Sequence, residues 1–226
     1  MMGNELIESI THRWQQVLFS VASLGLLWVA GCSVPQPAAD ASTAMRALES
    51  HRYQQAIAAF TVLLEAYPDS VRWRRLRGYA FDEVGQYEAG IADYTKVLSR
   101  TPNDVLCLSN KGYAFYQNNQ LSESVADYNR VLELDPTFVP ARGNRALVLV
   151  ALGRYPRALV DIDRAIAGSA TTNSTLYNLK GYCLLQLNRP VPAIQAFDKA
   201  IALNAGYTDA LNNREDAYRL LARIGK

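Results

Sequence analysis

Few residues in this chain can do covalent chemistry. Its 226 residues include two histidines, His12 and His51, and three cysteines, Cys32, Cys107 and Cys183. A serine–histidine triad or a Cys/His zinc site needs several such groups close together. Here they are scattered, and no glycine-rich phosphate loop or nucleophile elbow accompanies them. The sequence predicts no catalytic centre, no cofactor and no metal. Charge points to no alternative: 23 basic and 21 acidic residues leave a net charge of +2. Such a balance supplies no field for nucleic acid or for an acidic substrate. What remains is one thiol in a distinctive setting, and recurring tyrosines and asparagines, whose groups suit binding.

The thiol is Cys32. Before it lies an apolar run of 14 residues, Val17–Ala30. That is short of the roughly 20 residues a membrane span needs, and it fits the roughly 7–15 of a secretory signal core. Small residues, Ala30 and Gly31, separate the run from the cysteine. The stretch Val29-Ala30-Gly31-Cys32 resembles the lipobox of bacterial lipoproteins. That resemblance implies that residues 1–31 are a lipoprotein signal peptide, cleaved just before Cys32. It further implies a diacylglycerol on the Cys32 sulfur and an acylated new amino group. Two or three acyl chains anchor a domain stably where one would be marginal. Residues 32–36 become a lipidated tether. Ser33 stands where an aspartate would resemble an inner-membrane retention signal. The implied address is therefore the cell envelope, at an outer membrane and facing the periplasm.

The rest of the chain repeats. Asp-Tyr recurs in Ile91–Leu98 and Val125–Leu132, and Gly-Tyr-Ala-Phe in Gly78–Phe81 and Gly112–Phe115, each time 34 residues apart. Pro68, Pro102 and Pro136 keep the same interval. Aligned at this period, position 8 is always small: Ala44, Gly78, Gly112, Ala146 and Gly181. Position 20 is small as well: Ala56, Gly90, Ser124, Ala158 and Ala193. Position 24 is large: Phe60, Tyr94, Tyr128, Ile162 and Phe197. Two helices that cross about 8–10 Å apart need small side chains at the crossing. Gly85, Asn119, Gly153 and Asn188 share position 15, where a turn needs a left-handed backbone.

A period of 34 with this pattern resembles the tetratricopeptide repeat. The resemblance implies an all-α fold, an α-solenoid of five helix-turn-helix repeats over residues 37–226. The repeats start at residues 37, 71, 105, 139 and 174, the last after a junction with one extra residue. Residues 208–226 form a C-terminal capping helix, polar enough to close a solenoid.

In such a solenoid the first helices line the concave face. The residues expected there are Arg72, Arg75, Tyr79, Asn110, Tyr113, Tyr116, Asn144, Asn178, Tyr182 and Asn213. Asparagine offers a donor and an acceptor to a peptide backbone, and tyrosine offers apolar area with a hydroxyl. The alternative for the tyrosines is packing against neighbouring first helices. A base recurs at position 7 (Arg77, Lys111, Arg145, Lys180, Arg214) and an acid at position 23 (Asp93, Asp127, Asp161). Matched signs predict ion pairs between helices rather than an anion-binding stripe. Cys107 and Cys183 are expected as small core residues, and His51 as a solvated residue at a turn.

The expected function is a non-enzymatic scaffold for protein–protein interaction, lipid-anchored at the envelope, with a protein or peptide partner and no nucleic acid. The plan resembles envelope repeat lipoproteins that act as adaptors for hydrolases. Pilotin-like lipoproteins, which assist pilus or secretin assembly, are the alternative. Self-association through Leu220, Leu221 and Ile224 stays open.

Overall fold

The computed structural model describes residues 38–169 and 173–225. The expected signal peptide, tether and Cys32 lie outside the described residues. Eleven helices, and no strand, occur among them: α1 Ala38–Glu49, α2 Tyr53–Ala66, α3 Val71–Glu83, α4 Tyr87–Leu98, α5 Val105–Gln117 and α6 Leu121–Leu134, then α7 Val139–Ala151, α8 Tyr155–Gly168, α9 Ser174–Gln186, α10 Pro190–Leu203 and α11 Thr208–Ile224. Odd-numbered helices are the first of each repeat and even-numbered ones the second.

Local chemistry sets the helix ends. Five of the described residues have positive φ: His51 (56°), Gly85 (75°), Asn119 (58°), Gly153 (68°) and Asn188 (59°). All occupy position 15, the turn between the two helices of a repeat. Glycine and asparagine tolerate this conformation at little cost. His51 adopts it too, with its Nδ1 2.6 Å from the Tyr53 hydroxyl. Side-chain caps start three of the first helices. Ser70 Oγ accepts from Trp73 N, Asp104 Oδ1 from Cys107 N, and Asn173 Oδ1 from Thr175 N. Pro140, Pro156 and Pro190 stand in first turns, where a missing N–H costs nothing.

The helices fall into two compact units, one ending at Leu152 and the other starting at Gly153. In the first unit, α1 to α7 pack each against the next in chain order. Position 8 meets position 24 at every helical crossing that carries a glycine. A β-carbon on Gly78 would lie 2.8 Å from Tyr94, and one on Gly112 3.1 Å from Tyr128. Tyr94 and Tyr128 fill the space that the absent side chains leave and are fully buried. Position 20 closes the crossing from the other side, where Ser124 Oγ donates to the Gly112 carbonyl at 2.6 Å. Between repeats, Phe60 stacks on Trp73 with centroids 5.9 Å apart. Position 4 has an unusual occupant. Arg74 and Arg142 reach back to the carbonyls of Pro68 and Pro136, so the arginines brace the preceding turn.

In the second unit, α8 to α11 pack likewise in order. A β-carbon on Gly181 would lie 2.5 Å from Phe197. Leu184, Ala193, Ile194, Phe197 and Ala217 form its core, with Leu159 against it.

Candidate functional site

In the first unit, α3 touches α5 and α5 touches α7, whereas the second helices make at most marginal contact with one another. The first helices are therefore its inner layer. In the second unit α9 touches α11 in the same way. The expected binding residues sit on these helices, and most of them already have a partner within the chain.

Position 7 is a ladder rung rather than a binding stripe. Arg77 grips Asp93 with two hydrogen bonds, Nε–Oδ2 2.7 Å and Nη2–Oδ1 2.8 Å, and reaches Thr61 of the preceding repeat at 3.1 Å. Lys111 pairs with Asp127 at 3.3 Å, and Arg145 donates to Asn129 at 2.7 Å. In the second unit Lys180 pairs with Asp163, and Arg214 with Asp198, each at 2.7 Å. The charges are spent on joining helices, which leaves little positive potential for an external anion.

Position 5 clasps the residue that immediately precedes the next first helix. Arg75 binds Asp104 at 2.9 Å while Asp104 caps α5. Asn178 does the same for α11: its amide donates to the Tyr207 hydroxyl at 3.3 Å and accepts from Asn213 at 3.1 Å. Asn178 is only 1% exposed. It therefore departs from the sequence expectation: it belongs to the core and offers nothing to an open face.

The tyrosines at position 9 pair with aromatic residues at position 17 of the preceding repeat. Tyr79 meets Tyr53 edge-on at 6.3 Å, and Tyr182 meets Tyr155 edge-on at 6.3 Å. Tyr113 has Tyr87 nearby and accepts a 2.6 Å hydrogen bond from Gln117. Burial pushes the Tyr113 hydroxyl up to about 12 and raises those of Tyr79 and Tyr182. All three stay half-buried, so each is partly packing and partly surface. The Tyr53, Tyr87 and Tyr155 partners were missed in the sequence reading, although their spacings of 34 and 68 residues carry the signal.

Asn144 is bonded to the Tyr128 hydroxyl. Three expected residues keep open polar groups. Asn110, half-buried on α5, makes no side-chain hydrogen bond among the described residues. The Tyr116 hydroxyl, at the other end of α5, likewise has none, while its ring packs against the core around Leu132. Arg72 is exposed, its guanidinium 4.6 Å over the Trp73 ring.

Asp82 is a further buried polar group on α3. Its Oδ2 accepts from the Tyr94 hydroxyl at 2.7 Å, and its Oδ1 has no partner. Burial, with Glu83 nearby, raises its carboxyl well above the usual range. Burial also pushes the Cys107 and Cys183 thiols up to about 12, which makes them poor nucleophiles. No cluster of three or more His, Cys, Asp or Glu able to hold a metal occurs among the described residues. No helix among them is long and apolar enough to cross a membrane.

A tetratricopeptide repeat model matches residues 42–105 and 144–208, and a TPR repeat model matches residues 112–153. The chain belongs to the tetratricopeptide repeat family. No curated protein matches it in sequence. Solved structures match it in fold. MamA from Desulfovibrio magneticus RS-1 is 14% identical with a TM-score of 0.71, over 78% of this chain and 99% of that one. YrrB, described as a TPR protein with an unusual peptide-binding site, is 16% identical with a TM-score of 0.67, over 80% and 92%. TTC0263, a thermophilic TPR protein of Thermus thermophilus, is 15% identical with a TM-score of 0.60, over 81% and 99%. At these identities the likeness is one of architecture. Of the residues expected on the inner layer of the first unit, those with open polar groups are Arg72 on α3 and Asn110 and Tyr116 on α5.

Proposed function

We propose that this protein is a non-enzymatic scaffold, held at the cell envelope by acyl chains on Cys32, that binds a protein or peptide partner on its first helices. The observation that carries the reading is Asn110. An asparagine amide left without a partner, on the central helix of the inner layer, suits a peptide backbone that needs both a donor and an acceptor. Half-buried Tyr79 and Tyr113 offer apolar area already held in place by their neighbours, so little entropy is lost on binding. The matched TPR architecture and YrrB's described peptide-binding site support this reading. The lipobox-like stretch before Cys32 supports the anchor, and Ser33 supports an outer-membrane address facing the periplasm.

The partner we favour is a component of envelope machinery, with this protein as its adaptor. Photo-crosslinking tests the face. A photoreactive side chain at Asn110 or Arg72 should capture the same partner, and one at Val62 or Glu88, on second helices, should not. Equal capture from both layers contradicts the reading. The mass of the peptide that starts at Cys32 tests the anchor: acyl chains are expected, and an unmodified thiol contradicts it. A pilotin-like role is the alternative, separated by whether secretin multimers are lost when the gene is deleted.

A further inference from the structure

Helix α11 stands where a first helix stands, but no second helix crosses it among the described residues. In complete repeats the leucines at positions 4 and 11 of the first helix are buried. Leu108 at position 4 is 5% exposed, and Leu184 at position 11 is 4% exposed. On α11 the same positions are Leu211, 37% exposed, and Tyr218, 51% exposed. Leu221 extends the stripe at 36%. Steps of seven and three residues keep these three side chains along one side of the helix. Position 8, glycine or alanine in every complete repeat, is here Glu215. A helix seated on this stripe must sit further off than the Gly181–Phe197 crossing allows.

The seat takes a helix that runs antiparallel, as second helices do. Charge identifies a helix that fits. The first half of α11 carries Asp209, Glu215 and Asp216 against Arg214, and its second half carries Arg219 and Arg223 with no acid. An antiparallel copy of α11 sets Asp209, in the first turn of each copy, beside Arg223, in the last turn of the other, and the helix dipoles agree. A parallel copy sets like charge on like. With the midpoint at Asp216, Leu211 of each copy meets Leu221 of the other, and Arg214 meets Tyr218. The Glu215–Arg219 and Asp216–Arg219 pairs, with side chains 59–67% exposed, are free to exchange between copies. We propose that α11 pairs antiparallel with α11 of a second copy of this chain, through the Leu211–Tyr218–Leu221 stripe. One patch serves both copies, as two-fold symmetry requires. The proposal stands apart from the first-helix face and does not depend on it.

Light scattering on the full chain, purified in detergent, tests it. The wild-type protein is expected at the mass of two chains. Two charge variants separate this contact from any other. Arg219→Glu with Arg223→Glu makes the helix acidic throughout. Asp209→Lys with Glu215→Lys and Asp216→Lys makes it basic throughout. Each is expected as a single chain alone, with wild-type helix content by circular dichroism. Mixed one to one, they are expected to regain the two-chain mass. A single-chain wild type overturns the proposal, whether a different protein or another segment then covers the stripe. So does a two-chain mass that neither charge variant lowers.

Discussion

Arg77 and Asp93 join the two helices of one repeat through a pair of parallel hydrogen bonds, 2.7 and 2.8 Å long, with side chains 18% and 6% exposed. Thr61 of the preceding repeat accepts a third bond from the same guanidinium. One side chain thus ties together three helices, α2, α3 and α4. Arg77→Ala leaves the buried Asp93 charge to its longer pair with Arg74, at 3.6 Å. The expected cost is about 3 kcal/mol, the low end for breaking a buried pair from one side, because Arg74 remains. Arg77→Lys should recover only part of it, because an ammonium cannot make the fork. Urea midpoints of the three proteins check this, and Arg214→Ala, whose pair with Asp198 is more exposed, should cost under about 1 kcal/mol.

Gly181→Ala is expected to lower stability by about 1–3 kcal/mol, because the new methyl would lie 2.5 Å from Phe197 in a closed core. Gly206→Ala, whose β-carbon would meet nothing closer than 3.8 Å, should change it little. Thermal melts of the two variants side by side read the difference.

Asp82 sets a pH dependence. Its carboxyl titrates higher in the folded protein than in the unfolded chain. The folded state therefore holds the proton more tightly, and stability falls as pH rises from the unfolded value towards the folded one. Glu83 adds to the shift and the Tyr94 hydroxyl opposes it. Asp82→Asn keeps a partner for Tyr94 and has no charge to desolvate. It should be more stable than wild type at neutral pH, with a flatter stability profile from mildly acidic pH upwards. An unchanged profile would show that Asp82 is not the group responsible.

Asn178 holds α11 to α9. Asn178→Ala leaves the Tyr207 hydroxyl and the Asn213 amide without it, at an expected cost of about 1–3 kcal/mol. Hydrogen exchange should show the loss in α11 first, since only Ala210 and Ala217 of that helix are buried. Uniform loosening of all the helices would contradict a clasp at this end.

The repeat architecture was readable from the sequence because backbone geometry enforces it. A left-handed turn selects Gly85, Asn119, Gly153 and Asn188, and a close crossing selects Gly78, Gly112 and Gly181. His51 in the same turn carried no such mark. The pairs of Arg77 with Asp93 and of Lys111 with Asp127 were readable because both signs recur together, whereas Lys180 and Arg214 pair with Asp163 and Asp198, outside the recurring acid position. The binding face was less so. Asn110 and Asn144 sit at position 6, but the extra residue before α9 puts Asn178 at position 5. One position is a turn of about 100° around the helix, enough to swing the amide from an open face onto Tyr207. Position 5 is a clasp, as Arg75 and Asp104 show, and a helical wheel cannot distinguish a clasp from a surface residue. The tyrosine pairs were hidden for a related reason. Their partners Tyr53, Tyr87 and Tyr155 lie on second helices, and a shared period shows that two positions recur, not that they touch.

The most direct measurement is a crosslinked pull-down from native membranes, with wild-type protein beside Asn110→Ala and Val62→Ser as baits. Circular dichroism of the three should first show equal folding. If the first-helix layer is the binding surface, partners captured by wild type are retained by Val62→Ser and depleted several-fold by Asn110→Ala. The same partners captured equally by all three baits would contradict binding on that face.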